Sequence, residues 1–245
     1  MRIVSLVPSL TEAVAVTRPG VLVGCTDWCT HPAGLAESGV ARVRGTKNPD
    51  LDAIVALAPD LVLANEEENR PADLDELGRR GIEVLVTTIR SVPQAVAELD
   101  RVVAACGAAR PEWLDRAEAC WLSKELAPEP RRLAVVPIWR RPWMALGRDT
   151  YAGDVLARLG VANVLAHSPD RYPRFDPAEV ISRRAGRRLD LVVLPDEPYA
   201  FTATDGPQAF PGIPAALVSG RLLTWYGPAM VDAVTELAAD LDRTV

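Results

Sequence analysis

The sequence has 245 residues, of which 49% are hydrophobic and 24% are charged, and its formal net charge is −6 at pH 7. This composition excludes a disordered chain and a small disulfide-stabilised protein. The acidic charge argues against nucleic acid as the main partner, because phosphate binding requires a basic surface. No apolar run approaches the roughly 18 residues that predict a transmembrane helix, so we do not expect a membrane-spanning protein.

The first residues contain no export signal that we recognise. The apolar run at residues 3–7 is shorter than the roughly 7–15 apolar residues of a secretory signal peptide, and no lipoprotein motif follows it. The chain as written is therefore expected in the cytoplasm, and the alternative is an extracytoplasmic protein whose signal has been removed. Free thiols at Cys25, Cys29, Cys106 and Cys120 suit the first location, since disulfides are rare in the cytoplasm.

Short apolar runs alternate with helical segments in the first part of the chain. The runs at 3–7, 21–24, 61–64 and 84–87 are apolar at consecutive positions, which is typical of parallel strands covered on both faces. Helices are predicted at 51–58, ending before a proline, and at 72–81, ending at a glycine. Residues 1–90 therefore form a predicted α/β lobe.

A long segment with helical periodicity follows, from residue 91 to about residue 126. We predict one linking helix at 91–127, which Gly107 and Pro111 kink without ending it and which Pro128 to Pro130 close. The alternation then resumes with strands at 133–138, 189–194 and 216–218 and helices at 151–159, 177–184 and 228–241. The prediction is an α/β fold with two Rossmann-like lobes, at 1–90 and 128–245, joined by a single long helix and with a ligand cleft between them.

The polar and aromatic residues concentrate directly after predicted strands, where parallel sheets bind ligands. Aromatic, arginine and carboxylate side chains together describe a recognition cleft rather than a reaction centre. The sequence also lacks the motifs of nucleophilic hydrolases, P-loop proteins, dinucleotide-binding enzymes and zinc proteases, so we predict no catalytic residues. The predicted ligand-binding residues are Trp28, Asn65, Glu66, Arg70, Arg140, Trp143, Arg171, Tyr172, Glu197, Tyr199, Trp225 and Tyr226.

Two segments allow alternative interpretations. Cys29 and His31 lie two positions apart in a predicted loop, and thiolate with imidazole is a good donor set for zinc and similar ions, with Glu66 as a third ligand. The alternative is that Cys29 packs beneath the loop and His31 hydrogen-bonds to a carboxylate. Near the N-terminus, Ser9 and Glu12 fit a helix capping box as well as a binding role.

Two stretches carry a resemblance to a known family. Residues 3–12, IVSLVPSLTE, and residues 51–64, LDAIVALAPDLVLA, resemble the class III substrate-binding proteins of ABC importers. These proteins, also called helical-backbone metal receptors, include vitamin B12-binding proteins and siderophore-iron receptors. Segments such as 45–50, 142–144 and 225–227 resemble a subgroup that lacks export signals.

The resemblance implies a ligand and a partner. The ligand would be a corrinoid, such as cobalamin, or a chelated transition metal, with aromatic side chains stacked on its faces and arginines paired with its carboxylates or phosphate. Transporting members dock onto an ABC permease through a glutamate on each lobe; Glu179 matches the second-lobe position, whereas the first-lobe position falls on Pro71. The alternative function is a cytoplasmic metal-binding protein or enzyme that reuses the receptor fold.

Overall fold

The computed structural model describes residues 1–123, 131–182 and 189–245. The chain divides into two compact units. Unit 1 comprises Met1–Ile89, Pro93–Glu118 and Tyr226–Pro228. Unit 2 comprises Arg90–Val92, Ala119–Trp225 and Ala229–Val245.

Unit 1 is built on a five-stranded sheet in which every neighbouring pair of strands is parallel. A short antiparallel hairpin and helices connect the strands. The elements are β1 (Ile3–Ser5), α1 (Pro8–Thr17), β2 (Leu22–Cys25), β3 (Ala41–Arg42), the hairpin β4 (Arg44–Gly45) and β5 (Asn48–Pro49), α2 (Leu51–Ala56), β6 (Leu61–Asn65), α3 (Pro71–Arg79), β7 (Val84–Thr87), α4 (Val92–Ala105) and α5 (Glu112–Leu122). The sheet order is β3-β2-β1-β6-β7, and β1 and β6 are buried at every position, as their continuous apolar runs predict.

Unit 2 contains a four-stranded parallel sheet in the order β11-β8-β12-β13. Its elements are β8 (Arg132–Val135), β9 (Pro137–Trp139), β10 (Met144–Ala145), α6 (Tyr151–Arg158), β11 (Val161–Asn163), α7 (Pro177–Ser182), β12 (Leu191–Pro195), a 3-10 turn (Pro207–Ala209), β13 (Ala215–Val218), α8 (Gly220–Thr224) and α9 (Met230–Asp242). The core of this unit combines β-strand aliphatics such as Val192 and Leu194 with the rings of Phe201 and Phe210.

Each sheet has a point at which the order of its strands reverses. In unit 1 the chain passes from β1 to β2 on one side and later returns to β6 on the other side of β1. In unit 2 it passes from β8 to β11 and then returns to β12 on the other side of β8. Open parallel sheets bind ligands outside the carboxyl ends of the two strands at this reversal, so the segments after β1, β6, β8 and β12 are the expected recognition loops.

The linking segment is not one continuous helix, which corrects the prediction for residues 91–127. Helix α4 ends at Ala105 and α5 begins at Glu112. Gly107 has a φ of +68°, and the Ala108 N–H donates to the Val103 carbonyl at 3.2 Å, which closes the end of α4 with a left-handed glycine. Helix α5 then starts directly after Pro111, since proline cannot supply an interior helical N–H.

The other predicted elements are present with shifted ends, and the shortest ones were not predicted. Strands β3, β4, β5, β10 and β11 and helix α8 have no counterpart in the prediction. The predicted capping box is wrong, because α1 begins at Pro8 with Val7 as its N-cap and no side-chain cap, which places Ser9 inside the helix. The predicted helix end at 128–130 and the last residues of the predicted helix 177–184 lie outside the described residues. In the ranges that the structure describes, no helix is long and apolar enough to cross a bilayer.

Candidate functional site

In unit 1 the loop after β6 is held by two buried asparagines. The Asn69 side chain donates to the carbonyls of Leu6 at 3.2 Å and Thr46 at 3.0 Å, and its oxygen accepts the N–H of Asn65 at 2.9 Å. Asn69 therefore joins the segments after β1 and β6 to the β4–β5 hairpin. The Asn65 side chain donates to the hydroxyl and carbonyl oxygens of Thr87 at 3.0 and 3.1 Å and accepts from Glu67 N–H at 2.9 Å. Asn65 was predicted to contact ligand, and these bonds give it a positioning role in this loop.

The glutamates of the same loop differ in their surroundings. The Lys47 ammonium donates to the Glu67 carbonyl, which attaches the hairpin to the loop. Burial raises the pKa of Glu68, an effect that nearby Lys47 opposes. Glu66, which was predicted to bind ligand, is half-buried, and its N–H donates to the Thr87 carbonyl at 3.1 Å. Glu66 thus follows β6 directly, at the carboxyl edge of the unit 1 sheet.

Trp28 is the most exposed tryptophan in unit 1, with 66% of its surface accessible. It lies in the turn after β2, and a Cβ at Gly45 would stand 3.2 Å from its indole nitrogen and 2.5 Å from Asn48 Oδ1. Only a glycine at position 45 therefore allows the indole to approach the β4–β5 hairpin. The side chain is positioned against the hairpin while most of its surface remains available to a ligand.

The predicted pairing of Cys29 with His31 around a metal ion is not supported by the arrangement of their side chains. Cys29 is fully buried, with its sulfur 3.1 Å from the hydroxyl oxygens of both Thr11 and Thr26, whereas His31 Nδ1 lies 3.0 Å from the Thr30 hydroxyl. Among the described residues, no group of three or more His, Cys, Asp or Glu side chains is placed to hold a metal ion. Cys29 packs beneath the loop, which is the first part of the alternative that the sequence left open; a carboxylate partner for His31 stays a prediction.

Tyr226 belongs to unit 1, although it was predicted in the second lobe with Trp225. It is 7% exposed, and its phenol makes hydrogen bonds with the side chains of Ser9 and Thr87. Burial, reinforced by the charge of Glu68, raises the pKa of this phenol, so it remains neutral at physiological pH. Tyr226 thus anchors its own chain segment to α1 and β7.

In unit 2 a carboxylate that the sequence prediction missed organises two predicted ligand residues. Asp205 forms an ion pair with Arg140, and its other oxygen accepts a hydrogen bond from Tyr199 at 2.6 Å. Tyr199 in turn contacts Trp139 edge to face, with ring centroids 5.7 Å apart. Trp139 is not among the predicted ligand-binding residues. It is 43% exposed, and its ring is therefore accessible to a ligand. Its position directly at the end of β9 is the sequence signal that identifies it.

Trp143 has a more structural setting than predicted. Its ring stacks on Phe201 at 5.9 Å with an interplanar angle of 6°, and it meets Phe210 edge to face at 5.6 Å. The Arg140 guanidinium lies over the same indole at 5.4 Å. Trp143 is therefore the link between the aromatic core of unit 2 and the Arg140–Asp205 pair.

The remaining predicted residues of unit 2 lie in two further segments. Arg171 donates to the Asp149 carbonyl at 2.7 and 3.0 Å and lies over the ring of Tyr172, which is 37% exposed. In the other segment, the Trp225 indole donates to Glu197 while its ring faces the Arg221 guanidinium at 5.5 Å. Partial desolvation and the neighbouring Asp196 raise the pKa of Glu197, and the bond from Trp225 opposes that shift.

Two residues concern the predicted docking positions rather than the ligand. Glu179 is exposed in the first turn of α7, beside a cavity of about 370 Å³. In unit 1, Pro71 is the first residue of α3, and Asp73 forms an ion pair with Arg70 at 2.9 Å. Arg70, predicted to bind ligand, is therefore occupied by a carboxylate of its own helix.

Comparison with known proteins finds relatives and solved structures that are named for binding vitamin B12 or heme. No protein-family model matches the sequence. A vitamin B12-binding protein of Pectobacterium carotovorum is 23% identical over 250 residues, which cover 98% of this chain and 88% of that protein. The periplasmic vitamin B12-binding protein of Vibrio cholerae has a TM-score of 0.80 at 19% identity, over 98% of this chain and 96% of that one. A periplasmic heme-binding protein from Roseiflexus sp. RS-1 has a TM-score of 0.77 at 20% identity, over 98% and 97% of the two chains.

Proposed function

We infer that this chain, which has the fold of the class III substrate-binding proteins of ABC importers, is a binding protein rather than an enzyme and that its ligand is a corrinoid. The relatives found by sequence over nearly the whole chain are named for binding vitamin B12. Solved structures of the same fold include proteins named for binding vitamin B12 and heme. Both ligands are large planar macrocycles that hold a metal ion, so the ligand class follows from these relatives.

The observation that carries a binding function is the placement of the aromatic residues at the strand-order reversal of unit 2. Trp139 is the last residue of β9, Tyr199 follows β12, and their two rings are in contact. The Tyr199 ring is held by its hydrogen bond to Asp205 and by its contact with Phe201 at 4.6 Å, and Trp139 packs against Tyr199. A rigid and partly exposed aromatic surface is suited to stacking on a planar ligand.

The charges around this surface favour a corrinoid over heme. A corrin ring in cobalamin carries neutral amide side chains, whereas heme carries two carboxylates. Arg140 is already paired with Asp205, so this cation would have to leave a carboxylate of the protein to bind one of the ligand. The net charge of −6 further disfavours an anionic ligand.

The test is a calorimetric titration of the purified protein with cyanocobalamin, and with hemin as the comparison ligand. We expect cyanocobalamin to bind more tightly. Removing one stacking ring, in Trp139→Ala, should weaken binding by about 2- to 10-fold, since an aromatic contact contributes roughly 0.5–1.5 kcal/mol beyond its buried area. Trp113→Phe is the matched control, because Trp113 lies on α5 and bonds Thr17 at 2.9 Å.

Other outcomes would identify a different function. Tighter binding of hemin would replace the corrinoid with an anionic macrocycle. Absence of binding to either ligand, together with zinc binding or substrate turnover, would support the alternative of a metal-binding protein or enzyme on this fold.

We also propose that, of the two docking glutamates that the resemblance implies, this chain has only Glu179, so that any docking onto a permease uses this one. Its counterpart position is Pro71, and the nearby carboxylates of unit 1 are the paired Asp73 and the half-buried Glu68. The solved relatives are periplasmic proteins, which favours the extracytoplasmic location over the cytoplasmic one.

Uptake of labelled cyanocobalamin into cells lacking the gene tests this role. Restoring the full-length gene should restore uptake, Glu179→Ala should lower it, and Pro71→Glu should raise it by supplying the missing carboxylate. Unchanged uptake on deletion of the gene, with ligand binding intact in vitro, would remove the transport role. Fractionation of the same cells reports the compartment.

A further inference from the structure

Two cysteines meet at the end of β2, outside the recognition surface described above. Cys25 is the last residue of the strand, and Cys29 closes the following turn through its N–H, which donates to the Thr26 carbonyl at 3.2 Å. The two thiols are hydrogen-bonded to each other, and both are free. We propose that Cys25 and Cys29 form a redox-active dithiol that a small disulfide such as oxidised glutathione converts into an intramolecular disulfide.

The surroundings of Cys29 suit a thiolate. Its sulfur lies 3.1 Å from the hydroxyl oxygens of Thr11 and Thr26, and either hydroxyl is able to donate to a sulfur anion. The Arg42 guanidinium lies 3.3 Å from the Cys25 sulfur and donates to the carbonyls of Thr26 and Cys29 at 2.8 and 2.7 Å. One arginine therefore holds the turn together and places a positive charge beside the Cys25 sulfur.

These contacts shift the pKa values of the two thiols in opposite directions. The hydrogen bond from Cys25, followed by those from Thr11 and Thr26, lowers the pKa of Cys29 to about 6 against the opposing effect of burial. The same bond, with burial, raises the pKa of Cys25. At neutral pH the pair thus carries one thiolate and one thiol, the combination needed for attack and resolution. Cys106 shows the contrast, since burial alone raises its pKa to about 11.

The positive charge of Arg42 near Cys25 and Cys29 favours disulfide exchange over the binding of a metal cation. The Arg42 guanidinium beside the Cys25 sulfur repels a cation, and its charge opposes the rise in the pKa of Cys25. Asp27 adds the nearest negative charge, which raises the pKa of Cys25. The described residues bring no third metal-ligating side chain to these sulfurs. Thiol chemistry is therefore the use that this arrangement favours.

The reaction balances as two exchange steps. The Cys29 thiolate attacks one sulfur of the small disulfide, which forms a mixed disulfide and releases one thiolate of the reagent. Cys25 then loses its proton to solvent and attacks the Cys29 sulfur, which forms the Cys25–Cys29 bond and releases the second reagent thiolate. Two cysteines are oxidised by two electrons, and one molecule of reagent disulfide is reduced to two thiols.

Access to the sulfurs requires the turn to open. Both cysteines are 0% exposed and are covered by the turn from Thr26 to Cys29. Trp28 lies in this turn and is largely exposed. A bond between Cys25 and Cys29 would constrain the turn and move its indole, so oxidation changes the surface that Trp28 presents.

The experiment exposes the full chain to defined ratios of reduced and oxidised glutathione, alkylates the remaining thiols and analyses tryptic peptides by mass spectrometry. No Lys or Arg lies between residues 25 and 29, so both cysteines stay in one peptide. We expect a Cys25–Cys29 disulfide in the wild type and in the double variant Cys106→Ser with Cys120→Ser. Tryptophan emission should change in parallel with the formation of this disulfide.

Single variants separate the roles of the two sulfurs. Cys25→Ser should accumulate glutathione on Cys29, about 10-fold faster or more than Cys29→Ser accumulates it on Cys25, because the thiolate is the attacking species. Equal rates in the two variants would overturn the assignment. Failure of the folded Cys106→Ser, Cys120→Ser protein to form the disulfide, even in oxidised glutathione alone, would overturn the dithiol itself without depending on the single variants.

Discussion

Asp205 forms an ion pair with Arg140, which is one of the predicted ligand-binding residues. The carboxylate neutralises the charge of Arg140 and accepts a hydrogen bond from the Tyr199 hydroxyl. Asp205→Asn should release the arginine for an anionic ligand, and we expect the affinity ratio of hemin to cyanocobalamin to rise by about 10-fold, the scale of one charge-assisted hydrogen bond. Tyr199→Phe, which removes only the phenol, should leave that ratio near its wild-type value in the same titrations. A ratio that stays constant in Asp205→Asn would contradict the role of Asp205.

Trp143 and Trp139 should differ in their contribution to stability. Trp143 packs among Phe175, Phe201 and Phe210, so Trp143→Ala should lower the free energy of unfolding by roughly 3–5 kcal/mol. Trp139 is 43% exposed, and Trp139→Ala should cost less than about 1.5 kcal/mol. Urea unfolding measures both values. Equal costs would show that Trp139, too, is part of the core.

The acidity of Cys29 predicts how stability changes with pH. Its folded pKa of about 6 lies below the ordinary thiol value, so the native state binds fewer protons than the unfolded chain in this range. The resulting stabilisation is full above the unfolded pKa, near 8.5, and is lost as pH falls through about 6. Under reducing conditions, the free energy of unfolding of the wild type should therefore rise from pH 5.5 to 8.

Two serine variants check this origin of the pH dependence. Cys29→Ser should show a smaller rise over that range, whereas Cys106→Ser should keep the wild-type slope, since the pKa of Cys106 is raised rather than lowered. The same slope in Cys29→Ser as in the wild type would mean that other groups cause the rise.

At the scale of elements, the break between α4 and α5 depends on one glycine. Gly107 has positive φ, and a Cβ there would approach Arg18 Nη1 to 2.8 Å, while Arg18 donates to the Cys106 carbonyl. Gly107→Ala should destabilise the protein by about 1 kcal/mol or more. Gly78, inside α3, has open space at its Cβ position, and Gly78→Ala should stabilise by roughly 0.4–1 kcal/mol. Thermal melts that show the same sign for both substitutions would contradict this account.

The elements that could be predicted from the sequence are those with long or continuous apolar patterns. Strands β6 and β12 are buried apolar runs and β7 is a partly exposed one, and the positions of all three follow from the sequence within a few residues. The hairpin of β4 and β5 has two residues in each strand and no periodicity to detect. The predicted continuity across Gly107 failed because periodicity survives a break of a few residues, whereas the sign of φ at a glycine leaves no trace in the sequence.

At the scale of the whole molecule, the segments that follow the strands could be located from the sequence, because the carboxyl ends of parallel strands lie at one edge of a sheet; their role in recognition stays a prediction. The partners of individual side chains could not be located, because they depend on contacts between segments far apart in sequence. Arg140 meets Asp205, and Tyr226 meets Ser9 and Thr87. Asn65 and Trp28 both follow predicted strands, so the sequence gives them the same predicted role. They differ in burial, since Asn65 is buried and forms the loop whereas Trp28 is exposed and accessible to a ligand.

The position of Tyr226 in unit 1, apart from its neighbours in the sequence, predicts that its hydrogen bonds contribute to the free energy of unfolding. Tyr226→Phe should lower the free energy of unfolding by about 1 kcal/mol, the net value of a buried hydrogen bond, because its phenol bonds the side chains of Ser9 and Thr87. Tyr172 is 37% exposed, and Tyr172→Phe serves as the control with little expected effect. Equal, small effects in both variants would show that the phenol of Tyr226 does not help to fasten its segment.

The return of Tyr226–Pro228 to unit 1 has a consequence during synthesis on the ribosome. Most of unit 1 lies within residues 1–118, but its last segment, Tyr226–Pro228, is synthesised only after residues 119–225 of unit 2. Ser9 and Thr87 therefore lack their Tyr226 partner while residues 119–225 are being made. A chain truncated before residue 226 would contain the first 118 residues of the protein without the segment that closes unit 1.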